Sequence, residues 1–282
     1  MNNCYNPNFL ENNYVSVKPI SSRDTYELYK VLDSSNKAYL IKLFKAGIAF
    51  KDIEIEIILG QFLSTKGKES NNFIRYISSD IEPNSQRIYI KYELAEKLEN
   101  YLISGLYLDE KMAKNIFWKI ANSVIYLHKN GIAHMNIALN KIFIDDNYNI
   151  KLGVFDSAEF VGMETYANTF FKEDIYQLGI LLIQLITGKC DLKNHDSNLL
   201  KLIQKREYEK FWKMIEAQNN KKLSKELKDL IIILLTIKSK KQKEKKNLDE
   251  IIKNSTWFKG IESIDKEQYL KEYLKQFEEL YQ

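Results

Sequence analysis

Between His134 and Asp145 the chain places a histidine, two side-chain amides (Asn136 and Asn140), the ammonium of Lys141 and a carboxylate within one short stretch, and Asp156 follows soon after. Asn136 can hydrogen-bond a hydroxyl, but its amide cannot accept a proton at physiological pH. Lys141 carries a positive charge that opposes any divalent cation brought beside it. Lys42 ends a strand-like run, Tyr39-Leu40-Ile41-Lys42, and two glutamates on the following helical segment could pair with it. Glu54 is the favoured partner, because Ile57 and Ile58 follow it at the three- and four-residue spacing that faces a core, whereas Glu56 is followed there by Leu59 and Gly60. These groups offer charge pairing and anion neutralisation.

The surrounding patterns supply the elements that must hold these groups. From Ala113 to Ile132, apolar residues at Ile116, Phe117, Ile120, Val124 and Leu127 recur at helical spacing, and Gly131 ends the helix. Residues Tyr14 to Tyr92 alternate strand-like runs with one helix, with a turn at Asn84 and Ser85 between Phe73 to Ile77 and Arg87 to Tyr92. Helical segments follow at Asp174 to Leu182, Leu227 to Ile237 and Leu248 to Phe258.

Taken in order, these segments resemble the protein kinase family. His134 to Asp145 is similar to the catalytic loop His-Arg-Asp-Leu-Lys-Pro-x-Asn, Ile150 to Asp156 to the strand and turn Lys-Leu-x-Asp-Phe-Gly, and Asp174 to Leu182 to the Asp-x-Trp-Ser-x-Gly helix. Leu248 to Phe258 resembles the ending of calmodulin-dependent-type Ser/Thr kinases. The resemblance implies an α+β, bilobal protein-kinase-like fold, with a small antiparallel β lobe over 14–93 and a larger helical lobe over 94–264. A loose N-terminus (1–13) and a C-terminal amphipathic helix (265–282) flank them. The inter-lobe hinge falls at Ile90 to Glu93.

Carried onto this sequence, the family's catalytic base is Asn136, its catalytic-loop lysine Ala138, its metal-binding asparagine Lys141 and its metal-binding aspartate Val154. The three glycines of the phosphate-covering loop are Ser21, Arg23 and Tyr26, and Asp24 adds a negative charge there. Lys42 with Glu54 stands as a vestigial nucleotide-binding pair. The apolar stack joining the lobes is kept at Ile58, Phe155 and His134, anchored by Asp174. Leu40 and Phe143 replace smaller residues above and below the adenine, and each added buried methylene is worth about 0.8 kcal/mol, so the pocket is filled by its own side chains. Gly162 to Thr169 looks like the substrate platform, with Thr169 in place of a glutamate whose arginine partner is also missing from Lys238 to Lys246.

The resemblance therefore implies a pseudokinase: a catalytically silent interaction or allosteric module with protein partners, and with weak or absent binding of ATP and Mg²⁺. Two alternatives are an active Ser/Thr kinase with an atypical site on Lys42 and Asp156, and a metal-independent nucleotide-binding switch in which Lys42 and Lys141 neutralise phosphates.

Composition narrows the setting. The formal charge of +4 rests on 42 basic and 38 acidic residues with only four arginines among them, too balanced to imply nucleic acid. Cys4 and Cys190 are too few for a disulfide framework. The N-terminus lacks an apolar signal core and the apolar runs are too short to span a bilayer, which points to the cytoplasm or another intracellular soluble compartment. Lys238 to Lys246 carries six lysines and one glutamate and reads as a solvated loop. Asp265 to Gln282 puts Tyr269, Leu270, Tyr273, Leu274, Phe277, Leu280 and Tyr281 on one helical face, which either packs on the large lobe or meets a partner.

Overall fold

An antiparallel sheet whose central strand is buried on both faces builds the first layer. In a computed structural model describing residues 8–82, 85–103, 108–162, 167–188, 198–219, 222–239, 247–261 and 266–281, helix α1 (Asn8–Asn13) leads into β1 (Ser16–Ser22), β2 (Tyr26–Leu32) and β3 (Ala38–Phe44). After α2 (Glu54–Ser64) come β4 (Tyr76–Ile81) and β5 (Ile88–Glu93), giving an antiparallel sheet of order β1-β2-β3-β5-β4. Central β3 is buried on both faces. Tyr39, Ile41 and Leu43 pack with Leu10 and Val31, while Leu40 and Phe44 pack with Leu28, Ile57 and Phe143. The strand expected from Phe73 starts later, at Tyr76. Phe73 itself is drawn into the core of the helical lobe and bridges Leu152 in parallel.

β5 runs through Glu93, so the segment expected as the hinge is strand, and the chain crosses at Leu94 into β6 (Ala95–Lys97). α3 (Leu98–Ile103) and the long α4 (Glu110–Lys129) follow. Asp109 caps α4 by accepting the Met112 N–H at 2.7 Å. Gly131, at φ +71°, ends the helical run where an added Cβ would lie 3.2 Å from Gly162. Short strands β7 (Ile132–Ala133), β8 (Ile142–Asp145), β9 (Ile150–Leu152) and β10 (Glu159–Phe160) carry the loops at the lobe boundary. β6, β8 and β9 form one small sheet.

The helical lobe is completed by α5 (Ala167–Thr187), α6 (Asn198–Gln204), α7 (Tyr208–Asn219), α8 (Lys225–Thr236), α9 (Leu248–Asn254) and α10 (Lys266–Tyr281). One apolar core runs through it, from Leu98 and Phe117 to Leu178, Leu234 and Trp257. α10 packs in cis: Leu270 and Leu274 are buried, and Tyr269, Tyr273 and Phe277 lie against the same core. Tyr101 and Tyr148 both donate to Glu278, the latter at 2.8 Å. The face of the last helix from Tyr269 to Phe277 thus packs on the chain's own large lobe.

Asn84, residues 163–166, the lysine run 240–246, Cys4, Cys190 and the ends of the 265–282 segment lie outside the described residues. The described part of the platform segment passes into α5 by Ala167, and Thr169 is already helical. Lys238 bonds Glu173 of α5, so α5 and the end of α8 are tied by an ion pair, although neither residue is the expected one.

Candidate functional site

Lys42 sits mid-strand on β3, opposite Leu28 of β2 and Ile90 of β5, with its side chain directed to the face covered by α2. Its Nζ donates to both carboxylate oxygens of Glu56, at 2.9 and 2.7 Å, and both side chains are almost wholly buried. Tyr92 donates its hydroxyl to Glu56 Oε1 at 2.8 Å. Burial, then the Glu56 carboxylate, pushes the Tyr92 phenol well above its ordinary range. Above Lys42 lie the rings of Tyr26 (4.3 Å from Nζ to centroid) and Phe44 (4.9 Å). The ammonium is enclosed by one carboxylate and two aromatic rings.

Glu54, the partner favoured from the sequence, is exposed at the first turn of α2. The buried residues of α2 are Glu56, Ile57, Leu59, Gly60 and Leu63, so Ile57 faces the core but the glutamate beside it there is Glu56, with Leu59 and Gly60 one turn on. That glycine is what brings the helix close: a Cβ at residue 60 would meet the Tyr76 ring at 2.9 Å. Ile58 follows the same rotation outward and is 43% exposed, so it takes no part in the apolar stack. Phe73 fills that place, its ring 6.1 Å from Phe155, which in turn lies 5.4 Å from His134. The signal that could have found both errors is Gly60 itself, read as close packing rather than as a gap in the apolar face.

Below the stack lies a buried carboxylate. Asp174 is fully buried on α5 and accepts the backbone N–H groups of His134 (2.8 Å) and Met135 (2.7 Å), with His128 Nε2 at 2.9 Å. Burial pulls the His134 imidazole below its ordinary range, so this ring is neutral packing.

Across the cleft, Lys141 Nζ bonds Asp156 at 2.6 Å. Burial draws the lysine below its ordinary range, with Asp156 restoring part of the loss. For Asp156, burial raises the carboxyl and the ammoniums of Lys141 and Lys42 outweigh it, so it stays below the usual carboxylate range. Phe155 lies in the stack between Phe73 and His134. Val154, at φ +60°, is a β-branched residue in left-handed backbone, and its side chain packs with Leu40, Ile74 and Phe143. Asn136 is directed at Ser157 Oγ, 3.5 Å from its amide nitrogen, and Ala138 is buried. Leu40 and Phe143 share one apolar cluster with Leu28, Tyr92 and Ala95, and a cavity of about 520 Å³ remains on its outer side.

The profile of the protein kinase domain matches residues 26–173, which includes β2, β3, the loop at 134–141 and the turn at 154–156. The chain belongs to the protein kinase family. Among curated kinases, it is 29% identical over 151 residues to the NUAK family SNF1-like kinase 1 of Mus musculus, a match covering 46% of this chain and 23% of that protein. It is 30% identical over 151 residues to the testis-specific serine/threonine-protein kinase 5 of Mus musculus, covering 43% of this chain and 41% of the other. The serine/threonine-protein kinase GIN4 of Saccharomyces cerevisiae is 28% identical over 206 residues, covering 66% of this kinase-family chain and 17% of GIN4. These matches thus span less than half of each relative's length. No described helix is long and apolar enough to cross a membrane, and no group of three His, Cys, Asp or Glu among the described residues could hold a metal ion.

Proposed function

We propose that this chain is a pseudokinase, a kinase-fold module that works through contacts with a protein partner and does not transfer phosphate. The observation that carries this reading is the ion pair of Lys141 with Asp156 at 2.6 Å. In the family's frame a divalent cation needs oxygen ligands at 141 and 154, and this chain offers an ammonium and an isopropyl group. A cation at that position would meet Lys141 as a like charge, and its nearest carboxylate already has a partner. These residues do not fit Mg²⁺. Asn136 adds an independent loss, because an amide cannot take the proton of an attacking hydroxyl.

The same geometry counts against an active enzyme built on Lys42 and Asp156, because each is held by another side chain and Lys42 is roofed by two rings. It also counts against a switch in which Lys42 and Lys141 neutralise phosphates. With the α10 face covered in cis, partner contact falls to other surfaces. The test is incorporation of radiolabelled phosphate from ATP into the protein itself and into generic Ser/Thr substrates. No incorporation above a heat-inactivated control is expected, with or without Asn136→Asp. Incorporation by the wild-type chain that is lost in Asp156→Asn would overturn the reading.

A further inference from the structure

The basic charge of this chain is concentrated rather than spread. From Lys201 to Lys228 there are nine lysines and arginines against four glutamates, a formal charge of +5 in a chain whose total is +4. These residues belong to α6, α7 and the start of α8. α7 turns Phe211 and Ile215 into the core of the helical lobe, which leaves Lys213 and Met214 on an exposed flank. Between α7 and the start of α8 lies an open pocket of about 660 Å³. Its apolar lining comes from Ala217 and from Trp212, whose ring lies edge-on to Phe211 at 4.7 Å.

One of the two carboxylates in this lining is already committed. Glu216 accepts from Lys228 at 2.7 Å and from the Leu223 N–H at 2.8 Å, which ties α7 to the segment leading into α8. The other, Glu209, is exposed. Lys213 and Lys222 also line the pocket and are exposed, and neither has a hydrogen bond or an ion pair among the described residues. Lys205 and Arg206 in the α6–α7 turn and Lys225 in the first turn of α8 are exposed too, while Lys210 is paired with Glu207. Cations on this surface outnumber the carboxylates left to meet them.

We infer that the α7–α8 pocket docks an acidic peptide segment of a protein partner, with one aromatic side chain seated against Trp212 and flanking carboxylates on Lys213 and Lys222. A pocketed aromatic anchor supplies affinity, and the surrounding positive field supplies orientation and association rate. The lining favours carboxylates over phosphate, because it contains no arginine to grip a phosphate bidentately. It also disfavours a lipid surface, since Glu209 and Glu216 would meet anionic headgroups as like charges. The inference rests on the reading of this chain as a partner-binding module and names the chemistry of the partner. The two fail separately: phosphate incorporation decides that reading, and peptide binding decides this surface.

The test is fluorescence anisotropy with a short labelled peptide of glutamate and aspartate carrying one central tryptophan, titrated with the full chain. Lys213→Glu combined with Lys222→Glu should weaken binding at least about tenfold, because attraction becomes like-charge repulsion. Both lysines are exposed, so this variant should melt with the wild type. Lys51→Glu with Lys66→Glu makes the same change in net charge on the small lobe and should leave binding unaltered. A peptide with serine in place of the tryptophan should bind several-fold more weakly, and raising NaCl from about 0.05 to 0.5 M should weaken both peptides. No binding at roughly 100 μM protein, equal loss in the small-lobe variant, or a serine peptide that binds as well as the tryptophan one would each overturn the proposal. So would co-sedimentation with phosphatidylserine vesicles that needs Lys213 and Lys222 while the peptide does not bind, which would assign the surface to lipid.

Discussion

Replacing Lys42 by methionine separates two uses of a buried lysine. Where such a lysine is held ready for a ligand, removing its charge should leave the fold intact. Here Nζ makes two bonds to Glu56, both side chains are almost completely buried, and Tyr26 and Phe44 cover the ammonium. Lys42→Met leaves the Glu56 carboxylate buried with only the Tyr92 hydroxyl to satisfy it. Removing one member of a buried ion pair costs about 3–5 kcal/mol, because the other charge is left without compensation. At about 2 °C per kcal/mol for a chain of this size, the melting temperature should fall by roughly 6–10 °C. Removing both charges, in Lys42→Met with Glu56→Leu, should recover most of that loss, since buried pairs are often matched by apolar residues of similar volume. The assay is thermal unfolding followed by far-UV circular dichroism on the wild type, both single variants and the double variant. A Lys42→Met protein melting within about one degree of wild type, or a double variant no better than the worse single one, would refute the coupling.

Other perturbations follow from the same contacts. Leu274→Ala removes a fully buried side chain from the α10 contact and should cost about 2–5 kcal/mol by urea denaturation, with the loss absent if α10 does not pack in cis. Asp156 has its folded pKa below the ordinary carboxylate value, so its contribution is present at neutral pH and is lost as pH falls below about 4. Asp156→Asn should therefore flatten the acid limb of a stability–pH curve, and an unchanged limb would count against the Lys141 pair. At the alkaline end, Tyr148 is pushed up to about 12, mainly because its hydroxyl bonds Glu278. The unfolded chain loses that proton first, so stability should fall as pH rises from about 10 towards 12, and Tyr148→Phe should lessen the slope.

Much of this was legible in the residues. The periodicity of Ala113 to Leu127 follows from local pattern, because burial of one helical face leaves a regular trace, whereas the place of Asp174 came only from the family resemblance. The mistakes cluster at α2. Choosing between Glu54 and Glu56 required knowing that Gly60 faces the sheet, and a glycine has no side chain with which to announce a buried face. Placing Phe73 had the same difficulty: it lies just before a strand, and only the tertiary contact with Phe155 shows that it belongs to the other lobe's core. The Lys141 to Asp156 pair is also beyond sequence spacing alone, since it depends on the antiparallel return of β9 beside β8.

On the pseudokinase reading proposed above, the left-handed turn at Val154 bears on how far this chain lies from binding a metal. Aspartate and asparagine tolerate positive φ better than a β-branched residue does. Val154→Asp would therefore ease the backbone rather than strain it, and the carboxylate would emerge from a turn already formed. What stands in the way is electrostatic. The new carboxylate would give Lys141 a second anion to hold, and the return to metal binding would still need position 141 to lose its charge. The distance back is short in conformation and long in charge.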